Sequence, residues 1–239
     1  MELMVRAVSA PAELACLPAL EQQVWGSPDP VPVHLLAAFT HAGGVVLVAH
    51  APGEDARWRG FAVAFLGRDA DGLYLHSHMV ATLPAYQGQG VGRRLKQAQW
   101  EWARAAGLDR LVWTYDPLQA RNAWFNLGIL GARVRAYVPD YYGPLGDQLS
   151  GARPSDRLVV EWRGAGPVPI PDGPRRSIPV PADIVALERR DPEAALSEQM
   201  RVRAEFEEAL AGAWTVAGFC REPEPAYVLW RADASRQDP

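Results

Sequence analysis

Cysteine is scarce: Cys16 and Cys220 are the two in 239 residues. That excludes a disulfide framework, and no cysteine-histidine spacing of a zinc site is present. One bridge or two thiols stay open, and buried thiols are the simpler expectation. Charge of one sign is also lacking, since 24 Lys and Arg face 28 Asp and Glu for a net of -4, with no run of five like charges. Nucleic acid is therefore not an expected partner. No apolar run approaches the ~20 residues that cross a bilayer, and the opening MELMVRAVSAPAEL has no long apolar signal core. A cytoplasmic chain with no membrane contact is the expectation. Internal repeats and low-complexity tracts are missing too.

What is present is ample core material, 49% hydrophobic with nine tryptophans, enough for one large or two modest domains. Strands and helices alternate over the first two-thirds. LMVRAVS reads as a strand, PAELACLPALEQQVW as a helix bent at Pro18, VPVHLLAAFTHAGG as a second helix, and VVLVAHA as a strand. GFAVAFLGRDADGLYLHSHMVATL reads as a hairpin around Asp71 and Gly72. The next helix carries Val91, Leu95, Ala98, Trp102 and Ala105 on one stripe, with Arg93, Arg94, Lys96 and Arg104 off it, and Gly107 closes it. LDRLVWTYDP predicts a strand whose Asp116-Pro117 opens a helix running to about Gly131, followed by strands in ARVRAYVPDYYG and RLVVEWR. Residues 1–163 form the expected catalytic domain. Residues 164–181 are proline-rich and read as a linker or edge segment, and 182–239 as a helix and hairpin packing on that domain or on a partner subunit in a homodimer.

The stretch QGQGVGRR poses the functional question. Glycine at alternate positions opposes a helix start unless the backbone amides there are needed. Closely spaced glycines between a strand and a helix let an anion approach the amides and the positive end of the helix dipole. The spacing does not fit a G-x-x-x-x-G-K-[ST] loop, nor does an acidic residue follow where a dinucleotide fold places one. A tight turn with no ligand is the alternative reading.

VATLPAYQGQGVGRR resembles motif A of the GNAT superfamily of acyl-CoA transferases, in which a strand and a proline precede Q/R-x-x-G-x-G/A at a helix start. Gln87, Gly88, Gln89, Gly90, Val91 and Gly92 carry the match. The resemblance covers about residues 4–163, including DPLQARNAWFNLGILGARV. It implies an α/β fold with a mixed central sheet splayed near residues 79–82 and flanked by helices, and acyl-CoA as cosubstrate, with no metal. It further implies that the turn amides hold the pyrophosphate, with Arg93, Arg94 and Lys96 either serving the phosphates or standing as solvated helix charges, and that Val80, Ala81 and Thr82 pair with the pantetheine arm. Asn122 matches the family asparagine that touches that arm. Leu127 stands where many members have a proton-donating tyrosine. That role is open, with Tyr115 as a substitute or simply a core aromatic.

Attack on a thioester needs a neutral amine, and an ammonium of pKa ~10 is only about 0.1% neutral at pH 7. His76 and His78 lie two apart on a strand and share a face, so either imidazole can take the proton, or both are hydrogen-bonded scaffold. A metal reading of this H-x-H lacks a local third ligand among His34, His41 and His50. Trp25 and Trp124 are candidate walls of the acceptor pocket, and Arg133 and Arg135 share a strand face suited to a carboxylate or to plain surface charge. Over its full length the chain resembles N-acyltransferases of amino acids, some using succinyl-CoA. The implied reaction moves an acetyl or succinyl group from acyl-CoA to the amine of a small molecule, an amino acid. A CoA-binding module without turnover, or an acetyltransferase for a polyamine or antibiotic, are the alternatives.

Overall fold

The computed structural model describes residues 2–26, 29–143 and 153–231. The end of the predicted C-terminal extension, 232–239, lies outside them. Contacts divide the chain into two compact units, one reaching to Trp113 and the other beginning at Thr114.

In the first unit β1 (Met4–Val8) leads to α1 (Pro11–Leu14), α2 (Leu17–Trp25) and α3 (Val33–His41), then β2 (Val45–His50). The single bent helix of the sequence reading is two helices. Proline has no N–H to give and is tolerated only in a first turn, so Pro18 falls at the start of α2 and the chain breaks before it. β3 (Gly60–Asp69) and β4 (Gly72–Thr82) form the expected hairpin, with Asp71 N–H donating to Asp69 Oδ1 at 2.9 Å in the turn. A short 3-10 turn (Pro84–Tyr86), the glycine turn, α4 (Val91–Ala105) and β5 (Leu111–Tyr115) complete it, the chain leaving the unit within β5. The strand order is β1-β2-β3-β4-β5, antiparallel except for the parallel pair β4 and β5, which gives a mixed sheet with helices on both faces. Leu14, Leu17 and Leu36 from the helices pack with Val46, Val48, Phe61 and Val63 on one face. On the other, α4 lies so near the sheet that a Cβ at Gly60 would meet Val91 Cγ1 at 2.9 Å as well as Ala81 O, so glycine is required there. Arg110, 1% exposed, clamps the hairpin: its guanidinium donates to both Asp69 oxygens and to Gly72 O.

The second unit contains α5 (Ala120–Ala123), continued as a π-helical turn (Trp124–Ile129), then β6 (Arg133–Val138), β7 (Arg157–Trp162), β8 (Arg175–Pro179), α6 (Ile184–Arg190), α7 (Pro192–Ala211), β9 (Thr215–Cys220) and β10 (Ala226–Trp230). Asp116 does not cap a helix directly. Its carboxylate accepts from Leu118 N–H at 2.8 Å in a turn, and the helix starts only at Ala120. Aspartate caps do open α6 and α7, where Asp183 and Asp191 accept from Ala186 and Ala194 N–H at 2.9 and 3.0 Å. β8 is one of the two edge strands of a sheet ordered β8-β10-β9. α7 buries Ala195, Gln199, Val202, Phe206 and Ala209, with Phe206 stacked on Tyr137 of β6 at 5.2 Å. Tyr227 of β10 donates to Pro117 O at 2.7 Å, and Arg203 pairs with Asp156 at 2.6 Å. Both cysteines are free, and Cys16 is exposed rather than buried, since it sits in the break between α1 and α2.

Candidate functional site

β4 organises the site because its two edges are treated differently. Toward β3 it is paired along its whole length, with Gly60↔Thr82, Phe61↔Ala81, Ala62↔Val80 and Val63↔Met79 at the downstream end. Toward β5 the paired register is Leu75↔Leu111 and His76↔Val112. Thus Val80, Ala81 and Thr82, the predicted pantetheine stretch, lie downstream of the last β4–β5 pair.

Upstream of Met79 the β3 register steps to Ala64↔Ser77, which leaves His78 as an extra residue, a β-bulge. The bulge resets the side-chain alternation. Ser77 turns to α4, whereas Met79 and Ala81 pack with Phe61 and Val63 on the opposite side. His76 and His78 share that second face, as the sequence spacing requires, with ring centroids 6.2 Å apart. Phe65 of β3 lies 4.9 Å from His76 and 5.6 Å from His78, and Phe39 of α3 lies 4.7 Å from Phe65. Sequence reading missed Phe65, whose contact with the histidines depends on hairpin register, and Phe39, which packs on Phe65 from α3. Among the described residues no group of three or more His, Cys, Asp or Glu could hold a metal ion.

Burial pushes the His76 imidazole down to about 4, helped by the nearby positive charges of His78 and Lys96, and burial also lowers His78. His76 is thus a neutral hydrogen-bond acceptor at pH 7 and a weaker base than free imidazole. If it takes the amine proton, the acid limb of kcat/KM should fall near pH 4 rather than 6.5, and His76→Asn should lose roughly 10–100-fold at pH 7. The folded pKa lies below the unfolded ~6.5, so the unfolded chain binds more protons as pH drops from 6.5 to 4. Stability from this group is intact above pH 6.5 and declines through that window, and the thermal midpoint of His76→Asn should decline less. A wild-type rate profile flat to pH 4 and unaltered in His76→Asn and His78→Asn would remove both from the chemistry.

The turn after β4 is open. Gln87, Gly88, Gln89 and Gly90 are exposed, and Gly88 and Gly90 have φ of +76° and +83° with nothing within 4 Å of where a Cβ would stand. Gly90 is the N-cap of α4, without a side-chain cap and without an acidic residue in the first turn. The Gln89 amide donates to Ala85 O at 3.0 Å and that of Gln87 to Thr82 O at 3.4 Å, fixing the loop on β4 and the 3-10 turn. Val91 is buried, Gly92 half-buried, and Arg93 exposed beside the opening. Uncapped amides, a helix start and an exposed cation fit a pyrophosphate. Arg94 instead pairs with Glu101 at 3.5 Å. Lys96 corrects the sequence reading more strongly: it is 3% exposed and points inward, because α4 buries a face of Val91, Leu95, Lys96, Ala98, Gln99 and Ala103. Trp102 is half-buried and Ala105 exposed, so the true stripe is rotated from the apolar one. Trp25 is half-buried, edge-on to Phe61 at 5.9 Å, and belongs to the core of α1 to α3.

In the second unit Tyr115 is 6% exposed, and burial keeps the phenol firmly protonated. It is a core aromatic and a poor proton donor. Asn122 is exposed on α5, whereas Asn126 is buried in the π-helical turn with Leu127. Arg135 does not stand free for a carboxylate: it pairs with Glu161 of β7, which also holds Arg163 at 2.8 Å. Cross-strand pairing satisfied it, which strand periodicity alone does not reveal. Arg133 is exposed. Trp124 is half-buried, packs on Gly128 and lies 5.9 Å from the Arg221 guanidinium.

Residues 17–128 match the family model described as Acetyltransferase (GNAT) family. That stretch is a GNAT acetyltransferase domain. No curated protein matches it in sequence. Among solved structures, the ribosomal-protein-S18-alanine N-acetyltransferase from Escherichia coli is 16% identical with a TM-score of 0.53, over 69% of this chain and 95% of that one. Arabidopsis thaliana Naa50 in complex with a bisubstrate analogue gives 15% and 0.53, over 67% and 98%. The protein yncA from Salmonella typhimurium with its cofactor acetyl-CoA gives 21% and 0.52, over 68% and 94%. At such identity these likenesses concern the fold. None of the described helices is long and apolar enough to cross a membrane.

Proposed function

We propose that the protein transfers an acyl group, acetyl or succinyl, from acyl-CoA directly to the amine of a small molecule, an amino acid with an apolar side chain. The observation that carries the donor half is the open glycine turn at the uncapped start of α4, reached along a strand unpaired toward β5 beyond His76. Amides and helix dipole hold the pyrophosphate, and the free edge of Val80 to Thr82 accepts the pantetheine arm as an added strand. The bond formed joins the amine nitrogen to the acyl carbon. The bond broken is carbon to sulfur, with one proton leaving the amine and one reaching the thiolate.

For the acceptor, support comes from the face of β4 that carries His76 and His78. The ring of Phe65 lies against both, backed by Phe39, a surface suited to an apolar group rather than to a polycation, which would need carboxylates. His76, neutral at pH 7, is the group on that face that accepts the amine proton, with His78 beside it. The reading is tested by a matrix of acetyl-CoA and succinyl-CoA against D- and L-amino acids, a peptide, polyamines and aminoglycosides, followed by product mass and thiol release. Acyl-mass gain on apolar amino acids is the expected result. Modification confined to polycations, or to the peptide, would overturn the acceptor class; tight CoA binding with no thiol release from any amine would leave a binding module.

A further inference from the structure

Lys96 is a basic side chain on the inside of α4, where burial without an anion lowers its pKa well below the ordinary lysine value. Its Nζ lies 3.4 Å from the centroid of the Trp113 ring and donates to Ser77 Oγ at 2.8 Å, and that hydroxyl donates onward to Gln99 Oε1 at 2.8 Å. Lys96 is 3% exposed, Ser77 4% and Gln99 0%, and Gln99 Nε2 has no hydrogen-bond partner. Among the described residues no carboxylate pairs with this ammonium. Buried cations are ordinarily matched by an anion, because desolvation is costly without one. Here the inventory is one-sided. An ammonium offers three N–H groups and Ser77 uses one; the Gln99 amide nitrogen offers two and neither is used. The indole face attracts a cation but accepts no ordinary hydrogen bond. The cluster lacks an acceptor, and a negatively charged one suits it best.

Its location limits what that acceptor is. Ser77 and Trp113 each follow the last β4–β5 pair, His76↔Val112, so the unused donors gather where the edge of β4 becomes free. The glycine turn is at the other end of that free edge. From Thr82 back to Ser77 is five residues, roughly 16 Å at a strand rise of about 3.3 Å, comparable with an extended pantetheine arm. A CoA thioester held by the turn and laid along β4 carries its acyl chain toward Ser77.

We propose that Lys96, with Gln99 and Ser77, forms a subsite for the far end of the acyl chain, and that it selects donors whose chain ends in a carboxylate, as a succinyl group does. This rests on the acyl-CoA reading above and deepens it. The carboxylate accepts from Lys96 Nζ and Gln99 Nε2, and Trp113 closes the subsite on the apolar side. No covalent step involves Lys96; it is a specificity residue for the donor.

The test is calorimetry of the full chain with succinyl-CoA, butyryl-CoA, which has the same chain length with a methyl in place of the carboxylate, and acetyl-CoA. Wild type is expected to bind succinyl-CoA at least about tenfold more tightly than butyryl-CoA, the size of one charge-assisted contact. Lys96→Met should cut that ratio to below about threefold, and Gln99→Leu should reduce it part of the way. A purely structural Lys96 would lower the thermal midpoint and leave the ratio untouched. Equal wild-type affinity for succinyl-CoA and butyryl-CoA overturns the proposal without any variant, as does a preference that survives in Lys96→Gln and Gln99→Leu. Failure of all three thioesters to bind would instead defeat the acyl-CoA reading itself.

Discussion

Gly90→Glu is expected to lose acyl-CoA affinity by at least about 100-fold while the chain stays folded, since the substitution adds a like charge and fills the anion site. The local geometry makes this a discriminating change. Gly90 holds φ +83° and no atom lies within 4 Å of a Cβ built there, so the new side chain meets no steric barrier inside the protein. Its folding cost is left-handed backbone strain, about 1–2 kcal/mol for a residue other than glycine. Gly90→Ala separates the effects, because it carries the same strain without the carboxylate and should keep most of the affinity. Calorimetry with CoA and acetyl-CoA, beside a thermal midpoint for each variant, reads both. Gly90→Glu with wild-type affinity would show that the pyrophosphate is bound elsewhere, and the glycines would then be a turn and nothing more.

The largest loss of stability is expected from Arg153→Met. Arg153 is 3% exposed, and its guanidinium reaches Glu188 of α6 at 2.5 Å, Gln199 of α7 at 2.8 Å and Asp116 before α5 at 3.5 Å. Gln199 in turn donates to Pro154 O at 2.7 Å, so one cation links the C-terminal helices to the earlier part of the second unit. Burial raises the Asp116 pKa and the Arg153 charge acts against that rise, so removing the arginine leaves a carboxyl that must take up a proton or stay unpaired. Breaking such a buried pair typically costs about 3–5 kcal/mol. With roughly 2–4 °C per kcal/mol for chains of this size, the midpoint should fall by about 6–20 °C. Arg201 pairs with Glu198 and Glu205 on the surface of α7, and Arg201→Ala should move the midpoint little. Equal small shifts in both variants would mean that the Arg153 cluster does not hold the unit together.

Local signals made the hairpin and the strand–glycine–helix sequence legible. Asp71 and Gly72 specify the turn they occupy, and QGQGVG is read from spacing alone. Where the sequence reading went astray, the cause is contact made at a distance. The apolar stripe of α4 counts hydrophobic residues only, so it could not register Lys96 and Gln99, whose polar ends are matched by Ser77 from another element. Arg135 looked available because its partner Glu161 is 26 residues away on the adjoining strand. Asp116 looked like a helix cap because Asp-Pro has that signature, yet its carboxylate serves a turn two residues on and the helix waits for Ala120. The π-helical turn holding Leu127 has no reliable composition signal, and its widened ladder sets Asn122 outside and Asn126 inside.

The bulge at His78 makes β4 an electrical partition. On the α4 side lie Ser77 and the buried Lys96 amine; on the other lie two imidazoles, and between them is the thickness of a single backbone. So thin a wall does not insulate. The charge of Lys96 is among the causes that hold His76 toward its neutral form, so a proton kept behind the sheet works against one arriving in front. Any group that neutralises Lys96 from its own side would weaken that opposition and leave the front face more basic, with no atom of the partition having moved.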